Sequence, residues 1–437
     1  MNSGIKAIAY YLPERILTNQ ELSVLYSGWS AEKILAKTGI EQRHIASTGE
    51  TAGDLAEQAA RKLFATHQIS PDEFDFVLLA TQSPDYFLPT TACILQDRLG
   101  IPKTAGALDF NLGCSAFIYG LALAKGLIAA GIAKNVLLLT AETYTKHIHP
   151  LDKSVRTIFG DAAAATWVSK TDDEEIGQFT LGTDGAGYTK LIVPTGGLRE
   201  QRSAESAIEV TDDSGNVRSR DHLFMQGSEI FSFTLEILPS LLNETLAKNG
   251  MKKEHIDLFV FHQANAFMLD AIRKALHIPE EKFYINMEDI GNTVSATIPI
   301  ALERAAQDGA LKPGMSVLLA GFGVGLSWGA TVLKWQPASV VHGNGLVEAQ
   351  KQGSTQQASH QHSGDVPLAE KIAALVPVFE FDDVVLTPDT KLSDLVWDSV
   401  AHMSVIALLK EKFNRKVAYD TLRSFQTIQD ILDAMEE

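Results

Sequence analysis

An α/β fold built from two similar halves, followed by a small helical segment, is what this sequence predicts, and three observations carry that expectation. Up to Trp335, apolar strand-like runs alternate with helical spacings and Gly-rich turns, the pattern of a layered α/β domain. Within that stretch two strand signals recur. Phe74-Asp75-Phe76-Val77-Leu78-Leu79 resembles Ile256-Asp257-Leu258-Phe259-Val260-Phe261, and Asn135-Val136-Leu137-Leu138-Leu139 resembles Ser316-Val317-Leu318-Leu319-Ala320. After Trp335 the composition changes. Residues 336–365 are rich in Gln, Ser, Gly and His; they hold too few large apolar side chains to bury a core and are expected to form a flexible linker. Residues 366–437 regain helical spacing.

The repeat places the halves of the large domain, 1–335, at about 1–170 and 217–335. In each, an acidic residue precedes a buried strand, a loop and helix follow, and a Gly-containing strand closes the unit, at 160–168 and 325–334. The polar stretch 171–216 is expected to join the halves as an insertion, with a site between them.

The chain has 437 residues, 45% hydrophobic and 21% charged, with a formal net charge of −17. That charge excludes nonspecific nucleic-acid binding, because neutralising phosphates needs a basic face. Two cysteines, Cys93 and Cys114, cannot make a disulfide scaffold for so long a chain. Met1-Asn2-Ser3-Gly4-Ile5-Lys6 has no basic-then-apolar signal pattern. The longest apolar run, around 126–141, is broken by Lys134 and Asn135, which argues against a membrane span. The expectation is a cytoplasmic enzyme.

Three segments bear chemistry. Asp109-Phe110-Asn111-Leu112-Gly113-Cys114-Ser115 runs a strand into a tight turn and then a helix to about Ala130. Cys114 is thereby set at a helix start, where unpaired N–H groups favour a thiolate and can hold an oxyanion. A buried, inert cysteine is the alternative. His262, in Phe261-His262-Gln263-Ala264-Asn265, follows the strand Leu258–Phe261, where α/β sheets place functional groups; a core histidine satisfied by backbone is the alternative. Asn292, in Gly291-Asn292-Thr293, opens a helix to about Gln307 and alone reads as a turn or cap residue.

Taken with Gly321-Phe322-Gly323-Val324-Gly325-Leu326-Ser327-Trp328-Gly329-Ala330, these segments resemble β-ketoacyl-acyl-carrier-protein synthase III of the thiolase superfamily, in order and spacing, over roughly residues 1–335. The resemblance implies the five-layered α/β/α/β/α thiolase fold, usually a homodimer. It implies Cys114 as nucleophile toward an acyl thioester. It implies His262 and Asn292 as donors to the enolate left when a malonyl thioester loses carbon dioxide, without a metal. The oxyanion would rest on the N–H of Cys114 and one from 323–325. Lys33 and Lys37 stand where the family has a Trp that stacks on coenzyme A adenine and an Arg; Trp29 is the nearby substitute. Phe267 replaces a carrier-docking Arg, Val324 a Gly, and Ala162 to Ala165 follow Gly160-Asp161 where Gly is usual.

The C-terminal piece shows helical spacing over Leu368–Phe379 and Ser399–Phe413, with a last helix capped by Thr427. It carries about twice as many acidic as basic residues. Trp397-Asp398-Ser399-Val400 resembles the Asp-Ser-Leu motif of acyl carrier proteins, with Val for Leu. That resemblance implies a small all-α four-helix carrier domain over 366–437. Ser399 would carry 4′-phosphopantetheine, installed by a phosphopantetheinyl transferase; a plain helix cap is the alternative. His402 and Met403 replace acids usual in that helix, which pairs Phe267 and Met403 as candidate apolar docking positions. Two further functions stay open: an acyltransferase that relays from Cys114 without decarboxylation, and a scaffold with a dead site, which the intact trio opposes. A serine or cysteine hydrolase finds no nucleophile elbow here.

Overall fold

The computed structural model describes residues 1–337, 367–379, 386–395, 397, 399–413, 415, 417 and 419–436. The chain divides into two compact units, Met1–Ala338 and Ser339–Glu437. The expected linker, 336–365, lies outside the described residues apart from Gln336 and Pro337.

In the first unit, β1 (Asn2–Tyr11), β2 (Phe76–Ala80), β3 (Gly106–Phe110), β4 (Asn135–Glu142) and β5 (Ala162–Thr171) form a sheet in the order β1-β5-β4-β2-β3. β2 is parallel to β3 and β4, and β5 is antiparallel to β4 and β1. A second sheet has β6 (Ile176–Thr183), β7 (Leu258–Phe261), β8 (Ser316–Gly323) and β9 (Ser327–Lys334) in the order β7-β8-β9-β6. β7 is parallel to β8; the other pairs are antiparallel. The recurring strand signals therefore occupy matching places.

The half-boundary needs correction. β6 lies inside the stretch expected to be an insertion, so the second half begins by residue 176 and not near 217. Its strand signal is thinned by Gly177 and Gly182, whose missing side chains make room for Asn249 and the Trp328 indole.

The recurring aspartates have a common task. Asp75 Oδ2 accepts from Lys134 N–H at 2.6 Å and Asn135 N–H at 3.0 Å, and Asp257 Oδ2 accepts from Ser316 N–H at 2.8 Å. Each carboxylate fixes the start of the strand beside its own and so pins the parallel register.

Helices complete five layers. On the outer face of the first sheet lie α1 (Ala52–His67), opened by a Thr51–Asp54 capping box, and α2 (Thr91–Arg98). Strand alternation decides which side chains meet them. Val77, Leu79, Leu137, Leu139, Ala163 and Ala165 face out, while Leu78, Val136, Leu138 and Val168 face in. The inward residues pack on α3 (Ala116–Ala129) and α6 (Thr297–Gln307), which lie between the sheets; α4 (Gly227–Lys248) covers the second sheet, and α5 (Ala266–Ala275) packs beside α4. A helix sandwiched between sheets must be apolar on most faces, and α3 buries Phe117, Ile118, Leu121, Ala124 and Ile128. Leu121→Ala there would cost about 2–5 kcal/mol.

In the second unit the described residues hold α7 (Leu368–Phe379), α8 (Ser399–Phe413), α9 (Tyr419–Arg423) and α10 (Ile428–Glu436). Leu375, Val405, Leu409, Leu422 and Ile431 are buried. Phe379 stacks on Trp397 at 5.9 Å, and Lys371 Nζ meets Glu436 Oε1 at 2.7 Å. Met403 is itself buried, and Phe267 packs on Phe231 at 5.8 Å, so Met403 offers no apolar docking surface. No helix among the described residues is long and apolar enough to cross a membrane.

Candidate active site

Cys114 sits in the turn between β3 and α3 and is 6% exposed. The end of β8 lies against it. A side chain at Gly321 would strike the Cys114 carbonyl, and one at Gly323 would come within 2.8 Å of both Cys114 Cβ and Sγ. Glycine is the condition for that approach. It brings the Val324 N–H to the sulfur. Burial pushes the thiol up to about 12; the N–H groups of Val324 and of Cys114 pull it down, and Glu142 pushes it up. Burial outweighs the helix start, so the resting group is a thiol that must lose its proton at the moment of attack.

His262 follows β7, and its N–H donates to the Ala320 carbonyl of β8 at 2.8 Å. Burial brings its ring down to about 3, so it is neutral at neutral pH. Nδ1 lies 2.8 Å from Thr297 Oγ1, and the Thr297 hydroxyl donates to the Val294 carbonyl at 3.0 Å. A hydroxyl has one proton to give. With the Thr297 hydroxyl on Val294, Nδ1 carries the ring proton and donates to Thr297, and Nε2 keeps a lone pair; with the hydroxyl on Nδ1, the ring proton is on Nε2. The first tautomer makes Nε2 a base, and the second makes it a donor.

Asn292 bridges to the first half. Its N–H donates to Ile158 O at 2.9 Å, and its carbonyl accepts from Gly160 N–H at 3.0 Å. Its side-chain Oδ1 accepts the Val294 N–H at 2.9 Å, which leaves Nδ2 as the donor end. Val294 holds φ at 55°, where a β-branched residue is strained by roughly 1–3 kcal/mol. The bonds from Thr297 and to Asn292 hold the turn there.

Glu142 ties these parts together. It ends β4, is fully buried, and accepts from Gln82 N–H at 3.1 Å and Ser295 Oγ at 3.0 Å. Burial pushes its carboxyl up to about 8. Ser295 belongs to the Asn292 turn, and the Glu142 charge bears on Cys114. Cys114, His262 and Asn292 are thus linked through β8 on one side and Glu142 on the other. The sequence reading missed Glu142 and Thr297. The signal for Glu142 was a lone charge closing an otherwise apolar strand.

Ser399, the fourth expected site residue, opens α8 in the second unit. Asp398 of its motif lies outside the described residues.

Duplicated α/β/α/β/α layering, with a buried thiol leading one central helix and an asparagine leading the other, defines a thiolase-like protein. Known proteins narrow this further. The family described as 3-oxoacyl-[acyl-carrier-protein] synthase III matches residues 108–185, and its C-terminal counterpart matches residues 246–335. A beta-ketoacyl-[acyl-carrier-protein] synthase III of Caldanaerobacter subterraneus subsp. tengcongensis is 37% identical over 335 residues, 76% of this chain and 98% of the relative. The crystal structure of a 3-oxoacyl-(acyl-carrier-protein) synthase III matches with a TM-score of 0.76 at 56% identity, over 77% of this chain and 100% of that one. A 3-oxoacyl-(acyl-carrier protein) synthase from Burkholderia xenovorans LB400 gives 0.72 at 34% identity, over 78% and 96%. The chain belongs to the 3-oxoacyl-[acyl-carrier-protein] synthase III family of acyltransferases.

Proposed function

We propose that the first unit joins an acyl thioester to a malonyl thioester by decarboxylative Claisen condensation, through an acyl group on Cys114. The Cys114 sulfur beneath the Val324 N–H, with His262 bonded to the same strand and joined through Thr297 to the Asn292 turn, is the observation that carries this reading.

The steps follow from these atoms. Cys114 Sγ attacks the acyl thioester carbonyl while its proton passes to His262 Nε2 and on to the departing thiolate. The N–H groups of Val324 and Cys114 hold the oxyanion until the C–S bond breaks. The malonyl carboxylate then leaves as carbon dioxide, and the electrons of that C–C bond form an enolate. Its oxygen rests on Asn292 Nδ2 and on His262 Nε2–H, the ring having exchanged its Nδ1 proton for one on Nε2 through water, so that Nδ1 accepts from the Thr297 hydroxyl. The enolate carbon attacks the acyl-cysteine carbonyl, the bond to Cys114 breaks, and a 3-oxoacyl thioester leaves.

The proposal extends to the second unit as an acyl carrier domain with Ser399 as the attachment point of 4′-phosphopantetheine. Support comes from the acidic composition, the four helices among the described residues, and Ser399 at a helix start. When attached, that group supplies a thiol on a long arm. It extends also to a homodimer. β3 is a sheet edge in the single chain with Leu108 37% exposed, and Phe87 and Leu88 are 84% and 82% exposed; unpaired edges and apolar surface of this kind call for a partner. Two free thiols suit a cytoplasmic setting.

Release of labelled carbon dioxide from malonyl thioester by the acylated protein tests the condensation. Acylation of Cys114 with no release would leave the relay of an acyl group without decarboxylation as the function. Intact mass after incubation with a phosphopantetheinyl transferase tests the carrier, with the gain expected to vanish in Ser399→Ala.

A further inference from the structure

The loop that presents the Val324 N–H to Cys114 is held by groups outside the acyl-transfer steps above. Val324 lies between Gly323 at φ 156° and Gly325 at φ 138°, so its own backbone does little to fix it. Ser327 supplies the tie: its hydroxyl donates to the Val324 carbonyl at 2.9 Å. Ser327 Oγ also lies 2.6 Å from Ser115 Oγ. The one proton of Ser327 is spent on Val324, so Ser115 is the donor of the second bond. Both serines are buried, at 0% for Ser115 and 2% for Ser327. Ser115 is the residue after the nucleophile and the N-cap of α3, yet its side chain caps nothing in the helix. Its hydroxyl is committed across the sheets, from the Cys114 turn to β9. Two neutral hydroxyls buried face to face add little burial energy. What the pair adds is a defined position for the Val324 peptide relative to the Cys114 sulfur.

We infer that Ser115 and Ser327 form a positioning pair that sets the oxyanion hole, with Ser327 holding the Val324 peptide and Ser115 locking Ser327 to the nucleophile turn. The inference rests on Cys114 as the acylated residue. Acyl transfer to Cys114 needs the Val324 N–H on the developing oxyanion, whereas release of carbon dioxide draws on Asn292 and His262. The pair therefore acts on the first step and spares the second.

The test uses the full chain. Acylation of Cys114 by an acyl thioester is timed by intact mass in Ser327→Ala, Ser115→Ala and Ser327→Thr. Losing one oxyanion donor typically costs roughly a hundred- to a thousandfold; a displaced donor should cost Ser327→Ala about tenfold to a hundredfold. Ser115→Ala keeps the Ser327–Val324 bond and should lose less. Ser327→Thr keeps the hydroxyl and should stay within about threefold by the same reasoning. A second readout separates position from packing. Without the Val324 N–H on the sulfur, iodoacetamide alkylation of Cys114 in Ser327→Ala should need higher pH than in the parent. Parent-like acylation and an unshifted alkylation profile in Ser327→Ala would overturn the inference, as would equal losses in Ser327→Ala and Ser327→Thr. If Ser327→Ala does not fold, Ser115→Ala carries both readouts, and parent-like values there overturn it equally. Failure of the underlying reading looks different: the parent protein would then take up no acyl group on Cys114.

Discussion

The two halves of the first unit use one plan and decorate it differently. β2 and β7 correspond, as do β4 and β8, and each half sends a central helix, α3 or α6, from a Gly-containing turn. In the first half the strand before that turn is complete, and β3 pairs with β2 over five residues. In the second half its counterpart shrinks to a single bridge between Phe259 and Phe283. Freed from the sheet, the following chain crosses over and bonds Asn292 to Ile158 and Gly160 of the first half. Gly113-Cys114 and Gly291-Asn292 thus hold equivalent places in the two halves. One is the proposed nucleophile, a thiol with its sulfur under a backbone N–H, and the other is an amide whose oxygen is tied back to Val294. The shortened strand explains how both reach the same site.

The largest effect separates these equivalent positions outright. Cys114→Ala should abolish acylation by an acyl thioester, read by intact mass outside any phosphopantetheine arm, because nothing in the Asn292 turn can replace the sulfur. An undiminished adduct would remove the nucleophile from the first half. Asn292→Ala should show the opposite split. It should still acylate Cys114 but release carbon dioxide from labelled malonyl thioester roughly a hundred- to a thousandfold more slowly. His262→Ala should lose carbon dioxide release comparably and slow acylation as well, since Nε2 is the base for the thiol.

Much of this was legible in residue order alone. Strand ends and Gly-rich turns placed Cys114, His262 and Asn292 on their elements, because apolar runs and turn residues are local signals; the roles proposed for them came from the family resemblance and not from those signals. The strand β6 was not legible, because glycines that admit Asn249 and Trp328 erase its alternation. Nor was the state of the site. A helix start suggested a thiolate, yet burial pushes the Cys114 thiol up, and the tautomer of His262 turns on one Thr297 hydroxyl; neither is written in spacing.

The glycines of β8 sharpen the comparison at its contact point. Gly323→Ala would place a methyl 2.8 Å from Cys114 Cβ and Sγ. The loop must move, and displacement of about an ångström costs on the order of a hundredfold in a reacting geometry. Acylation should fall by that factor, and carbon dioxide release by enzyme already acylated should fall less. Equal losses in both steps would show that the second-half loop serves the whole site rather than the Cys114 side.

The smallest effect concerns Glu142, which ends β4 where Gly323 ends β8 and joins the Cys114 region to the Asn292 turn. Burial raises its carboxyl from 4.5 to about 8. The folded protein therefore keeps a proton that the unfolded chain has released, and stability falls as pH rises from about 4.5 to about 8. His262, lowered from 6.5 to about 3, works in the other direction but only below its unfolded value. Between about pH 6.5 and pH 8 the Glu142 contribution stands alone among these two. Glu142→Gln cannot ionise, keeps the shape, and with its oxygen in the Oε1 place still accepts from the Ser295 hydroxyl and from the Gln82 N–H, which lies 3.3 Å from that oxygen. Its melting temperature should decline less over that window than the parent's. Because the carboxylate pushes the Cys114 thiol up, the same variant should alkylate at Cys114 a few-fold faster at about pH 8, where thiolate fraction sets the rate. Parallel melting curves and equal alkylation rates would mean that Glu142 is a mechanical tie between the halves and carries no charge that the nucleophile feels.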